Sequence, residues 1–417
     1  MEHLHTVALV TVLCVFSPWL YRCTNNRPNR KPPPAKPLFE YPAIEPCTQE
    51  LSQIKPTPYR PFKWGVYHVT MGIRTMDWHE WIELDREFEK YYRIRCYRIR
   101  AYGEKVVRTL DAQPGVVPSG HSAAREVIHE LAEYLIRRYP HLYSVTRHDP
   151  STAIEAGWYG KGPIRTITLR VVGRTLNLDH EDPMTTAAFL VQDDLAILLE
   201  GSDGRYYLQA GAIIVPGTWR LEDKAGMPLD EIHESGDVPL YRERLHLSLG
   251  RFIKRLPVDK PVVRNNYTFQ VVDPTTNRPD DEKLVDRDEL GWLSTMMGEE
   301  FPDSQIARHG ECKRKLGSTV TPEMIILRTE RQTLRRLPKT GAILFTIRTY
   351  TTPVVELVQE PGIPSRLASA VRSWPDVVAK YKSREAFGEV LLSYLDEWAT
   401  KQAAAGIVDT DEKGYPF

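Results

Sequence analysis

Residues 328–350 read RTERQTLRRLPKTGAILFTIRTY. Six cations (Arg328, Arg331, Arg335, Arg336, Lys339, Arg348) and one carboxylate (Glu330) surround an apolar run. Residues 341–347, GAILFTI, are β-branched and aromatic, a composition suited to a buried strand. The segment before it fits a loop or a short helix that ends at Pro338. Cations at the mouth of a strand bind an anion or pair with carboxylates. The rival reading is a solvated basic face, and residue types alone favour it.

The remainder of the chain sets the frame for that strand. With 417 residues, 41% of them apolar, the chain can bury a large core as one big domain or two fused ones. Lysine plus arginine balances aspartate plus glutamate, 55 against 55, so no global field points to nucleic acid. The five cysteines (Cys14, Cys23, Cys47, Cys96, Cys312) make no C-x-x-C pair, which argues against a zinc site or a disulfide framework. Residues 6–21, TVALVTVLCVFSPWLY, carry no charge, and Arg22, Arg27, Arg30, Lys31 and Lys36 follow. The pattern predicts a single-pass anchor within residues 1–24, with the bulk of the protein on the cytosolic side. A cleaved signal peptide is the alternative. Residues 25–58 are proline-rich and read as a semi-rigid spacer.

From residue 59 the chain reads as a globule. Asp77 is a candidate N-cap, with Trp78, Trp81, Ile82, Phe88 and Tyr92 at helical spacing behind it. Residues 122–139 predict a helix stopped by Pro140. Strand patterns follow at 164–171, 189–199, 206–215 and 261–270, with a hairpin turn at GSDGR between the second and third. Residues 240–256 predict a helix. Residues 273–322 read as a surface insertion, and 365–399 as one or two amphipathic helices. The sum is an α+β fold, an antiparallel sheet wrapped by helices.

No Walker A, G-x-G-x-x-G, G-x-S-x-G or H-E-x-x-H motif is present. Two positions stand out. His233 follows PLDEI, shortly beyond PGTW, and precedes a glycine-containing loop; it faces a cavity or is a capping histidine. Arg264 lies inside a strand pattern, where an arginine is costly to bury unless an anion satisfies it. With Arg331 it would form a two-arginine clamp for carboxylates.

Four segments, taken in order, resemble the haem-dependent oxidative N-demethylase family: RPFKWGVYHVTMGIRTMDWHEWIELD, VPGTWRLEDKAGMPLDEIH, PVVRNNYTF and RTERQTLRRLPKTGAILFTIRTY. The resemblance covers roughly residues 59–360, leaving 361–417 as C-terminal helices and tail. It implies an enlarged PAS-type antiparallel domain enclosing haem b, in which an N-methyl group is oxidised to a carbinolamine that releases formaldehyde. It also implies a separate flavin and iron–sulfur reductase fed by NADPH, since no cysteine cluster here could hold an iron–sulfur centre. On this resemblance His233 is the candidate iron ligand, and Arg264 and Arg331 would clamp the propionates, with Lys224 and Arg328 as alternatives. Glu330 and Tyr267 would be polar groups on the distal side. Trp219 and Phe345 would supply apolar wall. Arg335, Arg336 and Lys339 would remain surface charge. The run HESGDVPLY departs from the shorter His-Ala-Pro-Val-Pro type of run in bacterial members, so amine specificity does not carry over. The expected activity is a haem-dependent mono-oxygenase acting on a small amine or secondary metabolite. The rival readings are a PAS-type haem or ligand sensor and an accessory membrane protein without cofactor.

Overall fold

The structure is a computed structural model that describes residues 39–407, except 152, 154–156, 216, 218 and 273–318. The anchor expected at residues 6–21 and most of the expected insertion lie outside the described residues. Among the described residues no helix is long and apolar enough to cross a membrane.

Among the described residues ten strands form two antiparallel sheets. In chain order they are β1 (Arg74–Thr75), β2 (Val107–Thr109), β3 (Tyr143–Arg147), β4 (Ile164–Leu169), β5 (Arg174–Asn177), β6 (Asp194–Glu200), β7 (Tyr206–Ala212), β8 (Val262–Val271), β9 (Ile325–Arg336) and β10 (Ile343–Pro353). The large sheet has the order β1-β8-β9-β10-β6-β7-β2, and β3-β4-β5 form the small one. The helices are α1 (Phe88–Tyr102), α2 (His121–Arg138), α3 (Pro183–Leu190), α4 (Leu221–Lys224), α5 (Leu229–Glu234), α6 (His246–Arg255), α7 (Val354–Leu357), α8 (Ile363–Arg372), α9 (Asp376–Tyr381) and α10 (Gly388–Ala404). A single π-helical turn, Tyr241–Leu245, leads into α6.

The α+β expectation holds, and the opening stretch is where the reading changes most. Residues 325–336 are neither loop nor helix but the long strand β9, hairpinned onto β10 from Arg336↔Ile343 to Ile326↔Pro353. The turn comes at residues 337–342, where Gly341 adopts φ +72°. Both strands are buried almost continuously, because both faces of the sheet are covered. A period-2 alternation of polarity was therefore never available as a signal. The solvated-face reading fails with it, since Arg328, Arg331, Arg335 and Arg348 are buried to within 1% of full coverage.

Three apolar clusters pack this sheet. One joins α1, α2 and α3 to β6, β7 and the small sheet. The second joins α8, α9 and α10 to Tyr267, Phe269, Ile325 and Leu327. The third lies on the opposite face, where Ala196, Leu198, Leu334 and Ile343 meet Leu221, Ile253 and Leu256. Tyr41 stacks on Trp158 at 4.1 Å and Leu51 is buried, so the expected spacer from Tyr41 onward belongs to the globule. Asp77 does cap, but only the 3-10 turn Trp78–Glu80; the helix proper begins at Phe88. Residues 183–190, partly assigned to a strand, form α3, capped by Asp182.

Candidate functional site

Strand alternation divides β9 into two sets of side chains. Thr329, Arg331, Thr333 and Arg335 share one face with Thr346, Arg348 and Tyr350 of β10, which lie opposite them in register. Every arginine of that set has a carboxylate partner, although Arg335 Nε and Nη1 and Arg348 Nε are buried without a hydrogen-bond partner among the described residues. Arg331 Nε lies 3.2 Å from Glu83 Oε1, and its amino groups donate to the carbonyls of Glu80 and Trp81. Arg335 pairs with Glu130 and lies 4.6 and 4.5 Å from the rings of Trp78 and Trp81. Arg348 pairs with Asp85 at 2.6 Å and covers Tyr91 at 4.2 Å. Arg95 of α1 adds a pair with Asp194 at 3.1 Å. These contacts fasten residues 80–85, α1 and α2 to the sheet.

The other face carries Arg328, Glu330, Gln332 and Leu334. Beside them in register lie Thr268, Asn266 and Arg264 of β8, and Thr349, Ile347 and Phe345 of β10. Arg328 Nη2 donates to the Val215 carbonyl at 2.5 Å and to Thr349 Oγ1 at 2.9 Å, and its Nε reaches Glu330 Oε1 at 3.3 Å. The remaining amino group, Nη1, is buried without a hydrogen-bond partner among the described residues. Glu330 Oε2 accepts from Gln332 Nε2 at 3.0 Å. Gly217 presses on this pair: a Cβ there would sit 3.0 Å from Glu330 Oε1 and 3.2 Å from Arg328 Nε. Arg264 Nε is likewise buried without a hydrogen-bond partner. Burial disfavours its charge, and Glu330 is the first group to oppose that.

The outer edge of β8 explains a further cation. β1 pairs only with Val262 and Val263, so among the described residues no strand covers the outer edge of β8 from Arg264 onward. Lys382, just beyond α9, reaches this edge, donates to the Tyr267 carbonyl and lies 4.3 Å from the Tyr267 ring. Burial pushes its pKa down to about 7, Glu330 resists that shift, and Arg264 adds to it. Arg264, Glu330 and Lys382 are thus one electrostatic group.

His233 sits on α5. Its Nδ1 lies 2.6 Å from the Leu229 carbonyl. A carbonyl only accepts, so Nδ1 carries the hydrogen and Nε2 keeps its lone pair. Asp237 and Leu240 both adopt positive φ, turning the chain so that Tyr241 returns to stack on His233 at 4.7 Å and 7°. Burial lowers the His233 pKa and the Leu229 hydrogen bond raises it, while the charge of Arg264 lowers it further. The imidazole is therefore neutral at neutral pH. Half-buried Trp219, Leu249, Phe252 and Phe345, with Leu229 and Ile232 of α5, pack on the third apolar cluster.

The fold brings His233, Arg264, Glu330, Trp219 and Phe345 to one face of the sheet. It puts Arg331 and Tyr267 on the other. In register Arg331 faces Asn265, one residue from Arg264, so the Arg264–Arg331 clamp does not form. Arg328, two residues from Glu330 on the open face, stands in its place. The Tyr267 hydroxyl accepts from Trp374 Nε1 at 3.1 Å inside an aromatic cluster with Phe62 and Phe269. Lys224, the other alternative, is taken up by Ser235 Oγ at 2.7 Å. Of the expected surface cations only Lys339 is exposed; Arg335 is buried, and Arg336 donates to the Leu256, Gly341 and Ile253 carbonyls, each at 2.7 Å. Gln332, Lys382 and Tyr241 join the face unforeseen. Gln332 alone had a local signal, its even spacing from Arg328 and Glu330.

Among the described residues no group of three or more His, Cys, Asp and Glu side chains could hold a metal ion. A bound group would need one nitrogen ligand, an apolar wall and cations for its anionic arms. The residues fit such a group: a fixed Nε2 lone pair, an apolar wall of Trp219 and Phe345 with Ile347 beside Gln332 on the same face, and the guanidinium groups of Arg328 and Arg264, each with a nitrogen free of hydrogen-bond partners among the described residues. A family model described as haem-dependent oxidative N-demethylase, alpha subunit-like, matches residues 72–392.

Proposed function

We propose, from the premise that this chain belongs to the haem-dependent oxidative N-demethylase alpha subunit-like family, that it binds haem b on the Glu330 face of its large sheet and oxidises an N-methyl group of a small amine or metabolite. The five central strands, taken in chain order, sit second–first–fifth–fourth–third across the sheet, with α4 to α6 between the second and third. That order supports the PAS-type reading.

When bound, haem supplies the iron at which dioxygen is reduced and the N-methyl group is oxidised. The protein's own residues do the rest. His233 offers Nε2, and the Leu229 carbonyl fixes its tautomer and ring plane as a hydrogen-bonded partner does for a ligating histidine. Arg264 and Arg328 hold the propionates through planar donors suited to carboxylates. Tyr241 stacks behind the imidazole and limits its rotation. Trp219, Phe345 and Ile347 exclude water. Glu330, partly open and flanked by Gln332 and Arg328, accepts or returns a proton at its Oε atoms. Electrons come from a separate reductase, and residues 6–21 anchor the chain to a membrane with this domain on the cytosolic side.

The observation that carries the reading is the fixed Nε2 lone pair of His233 on the same face as the unsatisfied Arg264. The test is a visible spectrum of the hemin-reconstituted chain, before and after dithionite and carbon monoxide, followed by formaldehyde release from N-methyl amines with a reductase. The expected result is a Soret band that His233→Ala weakens or shifts, with substrate-dependent NADPH use. A chain that stays colourless overturns the haem reading. A chain that binds haem but never consumes NADPH with any N-methyl amine is a sensor instead.

A further inference from the structure

The element that carries His233 continues into a charged surface. Residues 240–260 hold six cations (Arg242, Arg244, Arg251, Lys254, Arg255, Lys260) against two carboxylates (Glu243, Asp259), in a chain whose total formal charge is zero. Arg242 is paired with Glu234 at 2.7 Å, and Lys254 lies 3.8 Å from Glu200. Arg244, Arg251 and Arg255 are exposed and make no ion pair among the described residues. Leu247, Arg251, Lys254 and Arg255 fall on one stripe of α6 by helical spacing. Leu247 is 70% exposed, the second most exposed large apolar side chain among the described residues after Val66. A basic rim around one exposed leucine is a surface arranged for an acidic protein.

Its place in the fold gives it a purpose. The Tyr241 ring lies 4.7 Å from His233 and 5.7 Å from His246. His246 precedes Leu247. Three rings thus run in contact from the candidate ligand to the foot of this stripe.

We infer that the face formed by Arg244 of the π-helical turn and by Leu247, Arg251 and Arg255 of α6 is the docking surface for an acidic one-electron carrier protein. The inference rests on the proposed haem site at His233. In each encounter the carrier is oxidised by one electron and the haem iron is reduced by one; no bond is made or broken. Positive charge steers the carrier and holds it at low ionic strength, and Leu247 gives the contact its apolar centre.

The test uses the full chain, with and without hemin, and a plant-type ferredoxin as the acidic probe. Binding is measured at about 50 mM and 500 mM salt, where charge steering is strong and then screened. The expected result is binding at low salt that falls at high salt and that R244E/R251E/R255E weakens tenfold or more. Leu247→Asp weakens it too, Arg125→Glu on α2 leaves it unchanged, and circular dichroism of all variants matches the parent. Absence of low-salt binding overturns the inference, as does an affinity that ignores charge reversal on α6. Anionic phosphatidylserine vesicles that bind through Leu247 more tightly than the ferredoxin does would reassign the face to a membrane. A chain that binds the ferredoxin but takes up no hemin overturns the proposed function and leaves the surface standing.

Discussion

The two faces of the β9–β10 hairpin use the same residue type for opposite ends. On one face Arg331, Arg335 and Arg348 each have a carboxylate, and Arg335 and Arg348 lie against aromatic rings as well. On the other, Arg328 has only its strand neighbour Glu330 at 3.3 Å, Arg264 makes no ion pair among the described residues, Glu330 stays partly open, and the cluster beside them is apolar; buried guanidinium nitrogens without hydrogen-bond partners occur on both faces. The first face is a set of closed pairs that fastens the amino-terminal segments to the sheet. The second differs in Arg264, a half-buried arginine without an ion pair among the described residues, and in its apolar wall. A buried cation with its own carboxylate speaks for architecture, and one without a carboxylate leaves a place for an added anion.

The sharpest way to break the comparison is on the closed face. Arg348→Met leaves Asp85 buried without its cation, and removing one member of a buried pair costs roughly 3–5 kcal/mol. Urea denaturation should register that loss, and Arg335→Met, which strands Glu130, should resemble it. A loss below 1 kcal/mol would mean the pairs are decoration. On the open face His233→Ala should leave the urea midpoint near the parent's while hemin affinity falls at least tenfold.

Arg264→Gln removes one propionate partner, so hemin should bind about tenfold more weakly, the equivalent of roughly 1.4 kcal/mol. Stability should hold or rise, because an uncompensated buried charge is gone. Lys382→Met is read through the pH dependence of stability. The folded pKa of Lys382 is depressed to about 7, below its ordinary value. Between the two values the unfolded chain binds more protons, so this residue makes stability rise with pH from about 7 toward 10. Thermal melts across that window should lose this part of the rise in the variant. A pH profile identical to the parent's would remove Lys382 from the Arg264–Glu330 group.

Much of the fold was legible locally. Pro140 after 122–139, the GSDGR turn and the apolar spacing of 240–256 each fixed an element without help from the rest of the chain. The ERQTLRR run was not, because its burial on both faces depends on α1, α2 and α6, which are remote in sequence. Nothing in the run itself announces Glu83, Asp85 and Glu130, so the cations read as solvated. The same blindness misplaced the clamp. Pairing Arg264 with Arg331 looked reasonable by residue type, and the one-residue offset between Arg331 and Gln332 in the register reversed it. His233, Arg264, Glu330 and Trp219 were found because four motifs named them together. Lys382 was not, because it reaches the site only around the uncovered edge of β8.

The most direct measurement is one hemin titration, followed in the Soret region, of the parent chain, Arg264→Gln and Glu83→Gln, each with its urea midpoint. The account predicts that Arg264→Gln binds hemin more weakly at an unchanged midpoint, whereas Glu83→Gln keeps the affinity and loses stability. The reverse pattern, hemin affinity tracking Glu83 and stability tracking Arg264, would contradict it.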